Sequence, residues 1–264
     1  MSRLAETFTD LKKSGRAALI PCLVGGDPDL ETCIETAVEI AGQGADILEL
    51  VIPFSDPMAD GPTIQAASLR ALAGGISLRK IVDGAARLRN MIDIPLVVMT
   101  YLNPVLRIGL EEFAGISSES GVDGILLPEL PIEEADEWRD IAREKGLDTI
   151  FMAAPTSTQD RIKEICKAST GFVYAVTLTG TTGARKTLPE ELVQNLDDLK
   201  TICSKPIAAG FGISGPEAVR RLAPHADGLI VGSALVRLME EGSKKEKIHK
   251  AGQFVAELRA ALDH

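Results

Sequence analysis

The stretch ELVIPFSDPMADGPTIQ, Glu49 to Gln65, begins inside an apolar, β-branched run and ends at a proline-led helix start. Ala45 to Leu48 and the residues just after Glu49 read as a buried strand, yet a carboxylate stands in its middle. By the two-residue period of a strand, Ile47, Glu49 and Val51 point to one side and Leu48, Leu50 and Ile52 to the other. Apart from Glu49 both sides are apolar. A strand covered on both faces belongs to a parallel sheet.

The same kind of run recurs along the chain. Strands are read near Ala17 to Val24, Asp46 to Ile52, Pro95 to Tyr101, Gly124 to Leu127, Asp148 to Ala153, Gly171 to Val176, Pro206 to Ala209 and Gly228 to Val231. Helical periodicity fills the gaps: Leu30 to Gln43, Leu78 to Asn90, Leu110 to Ser120, Glu133 to Lys145, Gln159 to Ala168, Pro189 to Ile202 and Pro216 to Leu222, with a closing helix after Ser233. Eight such units in 264 residues predict an α/β protein, a (β/α)8 TIM barrel formed as a single domain over residues 1–264. The amino terminus, Met1 to Lys13, adds an extra N-terminal helix with Leu4, Phe8 and Leu11 on one face. The competing architecture is an open doubly wound sheet. No GxGxxG opens the first helix, and Gly25-Gly26-Asp27-Pro28 reads as a turn and helix start.

Composition narrows the function. Apolar residues make up 45% and charged residues 25%, with no stretch apolar enough to cross a membrane and no basic-then-apolar leader, so the expected compartment is the cytoplasm. A net charge of −10 argues against nucleic acid as a partner. Cys22, Cys33, Cys166 and Cys203 lack CxxC spacing and nearby histidines, which predicts reduced core thiols and neither metal nor disulfide framework.

In a barrel of this kind the loops after the strands build the active site. Glu49 lies late in the second strand and Asp60 in the loop beyond it. A carboxyl facing the lumen without a fixed cation has a raised pKa and can exchange a proton near neutrality. The alternative is a structural ion pair, for which a cation would have to reach in from a loop, since the strand cores hold no Lys or Arg. Asp56 and Asp60 taken singly read as turn and helix-start residues beside Pro and Gly. Their order, strand Glu then loop Asp, lets two acids approach one ligand. Tyr101 and Tyr174 can add hydroxyls to the same mouth, or be core tyrosines with satisfied hydroxyls.

Two glycine-rich ends complete the pattern. AAGFGISGPEA (Ala208–Ala218) and GLIVGSALV (Gly228–Val236) follow strands seven and eight, where backbone amides commonly hold a phosphate. TLTGTTGARKT (Thr177–Thr187) reads either as a lid that closes over substrate or as a surface loop without a role.

Together these residues closely resemble the α subunit of tryptophan synthase over nearly the whole chain. Pro53 to Gln65 carries that family's signature, with Met58 where leucine is usual; Gly25-Gly26-Asp27-Pro28, Gly210-Phe211-Gly212-Ile213-Ser214 and Gly232-Ser233-Ala234 follow in the family's order. The resemblance implies retro-aldol cleavage of indole-3-glycerol phosphate to indole and glyceraldehyde 3-phosphate, in L-tryptophan biosynthesis. It implies no metal and no organic cofactor in this chain, pyridoxal phosphate belonging to a partner β subunit in an α2β2 complex. Carried over by position, Glu49 would be the acid/base and Asp60 the partner of the indole nitrogen. Phe211, Gly212, Gly232 and Ser233 would touch the phosphate, Thr182 and Gly183 would lie in the lid, and Tyr174, Tyr101, Ile64 and Cys22 would line the pocket. Asp56 would lie at or near the contact with the β subunit. Leu178 and Thr181 stand where arginine and valine are common, Cys22 where many members carry phenylalanine, and Val51 where glycine is usual.

Two rival readings are a sugar-phosphate isomerase or aldolase, and a non-catalytic regulatory subunit. A Schiff-base aldolase needs a strand-end lysine, which no strand supplies. A binding-only subunit has no need of a buried proton carrier.

Overall fold

Alternation along each strand feeds two separate apolar compartments, and closing the sheet on itself makes one of them a lumen. In the computed structural model, which describes residues 1–176, 190–210 and 212–263, the strands are β1 (Ala18–Val24), β2 (Leu48–Val51), β3 (Leu96–Met99), β4 (Gly124–Leu126), β5 (Asp148–Ala153), β6 (Val173–Val176), β7 (Ile207–Gly210) and β8 (Gly228–Val231). They pair in chain order, all parallel, and β8 closes on β1. The barrel expected from the sequence is the one observed, and the open doubly wound sheet is excluded.

The surrounding helices are α1 (Arg3–Lys13), α2 (Leu30–Gly42), α3 (Pro62–Ala73), α4 (Leu78–Arg89), α5 (Leu102–Ile108), α6 (Leu110–Glu119), α7 (Asp136–Glu144), α8 (Gln159–Ala168), α9 (Glu190–Ile202), α10 (Pro216–Leu222), α11 (Ser233–Leu238) and α12 (Lys244–Leu262). The closing helix read after Ser233 is two helices. Gly242, at φ 111°, turns the chain, and a capping box between Ser243 and Glu246 restarts it as α12. A short 3-10 turn, Ile132–Glu134, precedes α7 where one helix was expected.

Leu19, Leu23, Leu48, Leu50, Val98 and Phe151 face outward into the helix layer. Ile20, Cys22, Ile47, Val51, Val97, Met99 and Ile150 face inward, and with them cluster Leu4, Phe8 and Leu11 of α1. These three lie four and three residues apart, which stacks them on one face of the helix. That face covers the amino-terminal end of the barrel, where Phe8 meets Phe172 at 5.7 Å between ring centroids. Gly124, opening β4, makes room for it: a Cβ there would stand 2.9 Å from Leu4 Cδ1.

The expectation of four reduced thiols is corrected at two of them. Cys166, in the last turn of α8, and Cys203, just past α9, form a disulfide with Cα atoms 5.6 Å apart. Their 37-residue separation carries no motif; it is the side-by-side packing of α8 and α9 that brings the sulfurs together. Cys22 and Cys33 are buried free thiols. Among the described residues no helix is long and apolar enough to cross a membrane.

Candidate active site

Glu49 faces the lumen. Its register neighbours are Cys22 on β1 and Val97 on β3, both inward-facing, and its side chain is 1% exposed. Among the described residues no Lys or Arg forms an ion pair with it, and Oε2 has no hydrogen-bond partner. Burial pushes its pKa up to about 7; the Cys22 thiol beside it pulls downward, and the charge of Asp60 adds to the rise. The ion-pair alternative is therefore not realised. Near neutral pH this carboxyl exists in both protonation states, as a proton carrier requires.

Asp60 reaches the same space from the loop after β2. Its backbone N–H donates to the Pro57 carbonyl at 3.1 Å, and its own carbonyl accepts from Gln65 Nε2 at 2.8 Å, so the loop is folded against the first turn of α3. Pro62 occupies that first turn, where a missing N–H costs nothing. Burial lifts the Asp60 pKa to about 6 against the opposing pull of the Tyr101 hydroxyl, and Oδ2 is unpartnered. On its far side α3 is tied down by Arg70, whose Nε and Nη2 donate to the two oxygens of buried Asp27 at 2.9 and 2.8 Å. The bidentate pair fixes α3, and with it the Asp60 loop, to the turn that leaves β1.

Tyr174, on β6, lies over Gly210 at the end of β7. A Cβ at position 210 would stand 2.4 Å from Tyr174 Cε1 and Oη, so only glycine lets the hydroxyl end of the tyrosine rest against that strand end. Burial, and then the charge of Glu49, raise the Tyr174 hydroxyl well above its ordinary value and keep it neutral.

One cavity gathers these groups. Of the residues anticipated from sequence, Glu49, Asp60, Cys22, Ile64, Tyr174, Gly212, Gly232 and Ser233 line it. Tyr101 does not: it stands behind Asp60, its hydroxyl accepting from the Ala59 N–H at 3.2 Å and its ring 5.3 Å from that of Phe54. Asp56 is exposed on the rim, with the Ser55 hydroxyl donating to it at 2.5 Å. Phe211, Thr182 and Gly183 lie outside the described residues, as does the whole stretch from Thr177 to Thr187. Sequence reading overlooked Met99, Leu126, Met152 and Ile230, although strand alternation assigns each to the lumen, and it overlooked Arg237. Among the described residues no cluster of His, Cys, Asp or Glu is placed to hold a metal ion.

A family profile described as "Tryptophan synthase alpha chain" matches residues 8–263. The chain belongs to the tryptophan synthase alpha chain family. It is 46% identical to the tryptophan synthase alpha chain of Geobacter sulfurreducens over 262 residues, covering 99% of both chains. To that of Aquifex aeolicus it is 44% identical over 264 residues, again covering 99% of both. Among solved structures, tryptophan synthase subunit alpha from Legionella pneumophila superposes with a TM-score of 0.92 at 35% identity, covering 100% of this chain and 99% of that one. A tryptophan synthase complex from Pyrococcus furiosus contains a chain matched at a TM-score of 0.87 and 39% identity, covering 93% and 98%. As a tryptophan synthase alpha chain, the protein is a carbon–carbon lyase of tryptophan biosynthesis that cleaves indole-3-glycerol phosphate to indole and glyceraldehyde 3-phosphate.

Proposed function

We propose that this chain performs the cleavage with Glu49 as the proton carrier and Asp60 as the electrostatic partner of the indole ring. The observation that carries the reading is the lumen-facing Glu49 carboxyl, buried, raised to about 7 and with one oxygen unpartnered. In this reading Glu49 gives a proton to C3 of the ring and takes one from the side-chain hydroxyl next to it. The hydroxyl-bearing carbon becomes the aldehyde of glyceraldehyde 3-phosphate, the carbon–carbon bond breaks, and its electron pair returns to the ring to regenerate indole. No proton is gained or lost overall. While C3 is protonated the ring nitrogen carries positive charge, and the Asp60 carboxylate is the group available to meet it.

The remaining assignments follow the family resemblance, supported for Gly212, Gly232, Ser233, Tyr174, Ile64 and Cys22 by their place in the cavity wall. Backbone amides at Gly212, Gly232 and Ser233, with Phe211 beside them in sequence, would hold the phosphate; Tyr174, Ile64 and Cys22 would enclose the indole, with Tyr101 holding Asp60 from behind. Thr182 and Gly183 are proposed as the lid. A tryptophan synthase β subunit is the proposed partner, in an α2β2 complex, with pyridoxal phosphate held by that subunit and no cofactor in this chain. Exposed Asp56 and Met58, the latter 85% exposed, put an acidic and an apolar group on the rim where such a partner would sit. The cytoplasm is the proposed compartment. The deciding experiment is indole release from indole-3-glycerol phosphate by the purified chain, with and without a β subunit; no release under either condition would sink the proposal.

A further inference from the structure

The cavity that holds Glu49 and Asp60 is also lined by a cation. Arg237 is on α11, four residues after Ser233, and lines the same cavity as Gly212, Ser214 and Ser233. Residues four apart share a face of a helix, and a helical side chain leans toward the amino terminus, which puts Arg237 on the Ser233 face of α11 and directs it toward that end. It is the one Lys or Arg among the described lining residues. Among the described residues it is engaged by no carboxylate, whereas Arg70, Arg87, Arg89 and Arg259 are each held in an ion pair.

The other charged groups of the cavity are both acids. Glu49 and Asp60 sit within a chain of net charge −10, and a phosphate ester brings up to two further negative charges into the same space. Amides supply partial charges and direction; they do not supply a compensating full charge. We infer that Arg237 is a substrate-binding and specificity-determining residue, a cation that pairs with the phosphate dianion and selects phosphorylated over unphosphorylated substrate. Its planar fork of donors matches two phosphate oxygens, and from an exposed position it can close on the phosphate once the ester is seated. This rests on the reading of the cavity as a phosphate-ester site.

The test compares the full-length parent with Arg237→Ala, Arg237→Lys and, as a control for overall charge, Arg221→Ala, an exposed arginine on α10 that does not line the cavity. Glycerol 3-phosphate is titrated calorimetrically at low and high salt, and KM and kcat are measured for indole-3-glycerol phosphate. Arg237→Ala is expected to raise the Kd for glycerol 3-phosphate about tenfold and KM by a similar factor, with kcat changed less than about twofold and a shallower dependence on salt. Arg237→Lys should recover part of the loss, and Arg221→Ala should stay within about twofold of the parent. A Kd for Arg237→Ala within about twofold of the parent, or an equal loss in Arg221→Ala, overturns the inference while leaving the cleavage reading intact. A parent that neither binds glycerol 3-phosphate nor releases indole overturns both.

Discussion

The Tyr101 hydroxyl lies beside Asp60, across the gap between the end of β3 and the loop that follows β2, and holds down the pKa of the Asp60 carboxyl against burial. Its oxygen accepts the Ala59 N–H at 3.2 Å, so the phenol fixes the backbone of that loop next to Asp60. Its ring is fully buried against Phe54. The tyrosine thus sets the position of an acid at the cavity wall without lining the cavity itself.

Tyr101→Phe removes the hydroxyl and keeps the ring. Losing the buried hydrogen bonds should cost about 1–2 kcal/mol of stability and raise the Asp60 pKa above about 6, because the hydroxyl is what opposes burial there. A lower kcat with little change in glycerol 3-phosphate affinity is the expected kinetic result. Unchanged kcat would show that Asp60 does not need this support.

Glu49→Gln keeps the shape of the side chain and removes its proton chemistry. Indole release should fall by about 10²–10⁴-fold, the usual worth of a general acid or base, while glycerol 3-phosphate still binds. Asp60→Asn should slow cleavage strongly in a protein that remains folded. Near-normal turnover by the Glu49 variant would remove the proposed carrier from the reaction.

The pH dependence of stability isolates the same carboxyl. Glu49 titrates at about 7 when folded, against an ordinary value of 4.5, so between these values the folded state binds more protons than the unfolded one. Stability from this group is complete below pH 4.5 and is lost as pH rises through about 7. The parent should therefore lose ground to Glu49→Gln between pH 5 and pH 8, by up to about 3 kcal/mol. Urea midpoints at the two pH values read this directly, and parallel curves would contradict it.

Gly210→Ala drives a methyl into the Tyr174 ring. Overpacking at such a site costs about 1–3 kcal/mol, and displacing the ring should also weaken substrate binding. Combining it with Tyr174→Leu should restore most of the stability, since the obstacle is removed. Additive losses in the double variant would locate the damage elsewhere.

The Cys166–Cys203 disulfide closes a long segment, 37 residues in separation, which corresponds to about 3–4 kcal/mol of chain-entropy stabilisation. Unreduced protein unfolded in urea should offer only Cys22 and Cys33 to an alkylating agent, and Cys166→Ser with Cys203→Ser should lower the urea midpoint. Four alkylated cysteines without reductant would show that the bond does not form.

The barrel was legible because period-two strands and period-3.6 helices each leave a local signature. Glu49 was legible in two steps: alternation set it on one side with Ile47 and Val51, and the cost of burying a carboxylate between helix and sheet pointed that side to the lumen. What escaped depends on packing between segments distant in the chain. Nothing near Cys166 or Cys203 announces the partner, because the pairing is created by two helices lying side by side. Tyr101, ending its strand run, and Tyr174, within its own, offer hydroxyls alike as sequence, yet the loop above one engages its hydroxyl away from the cavity and a glycine beside the other leaves room for it. Arg237 carried a signal that went unread, its four-residue spacing from Ser233. The break before α12 hides because Gly242 and Ser243 fall within an otherwise continuous helical composition.

With α1 stoppering the lower end, the cylinder is a blind well. With that end covered, whatever descends to Glu49 and whatever fragments form there must pass the opposite end, where the loop that carries Asp56 and Met58 lies. A second protein seated on that rim would control departure as well as arrival.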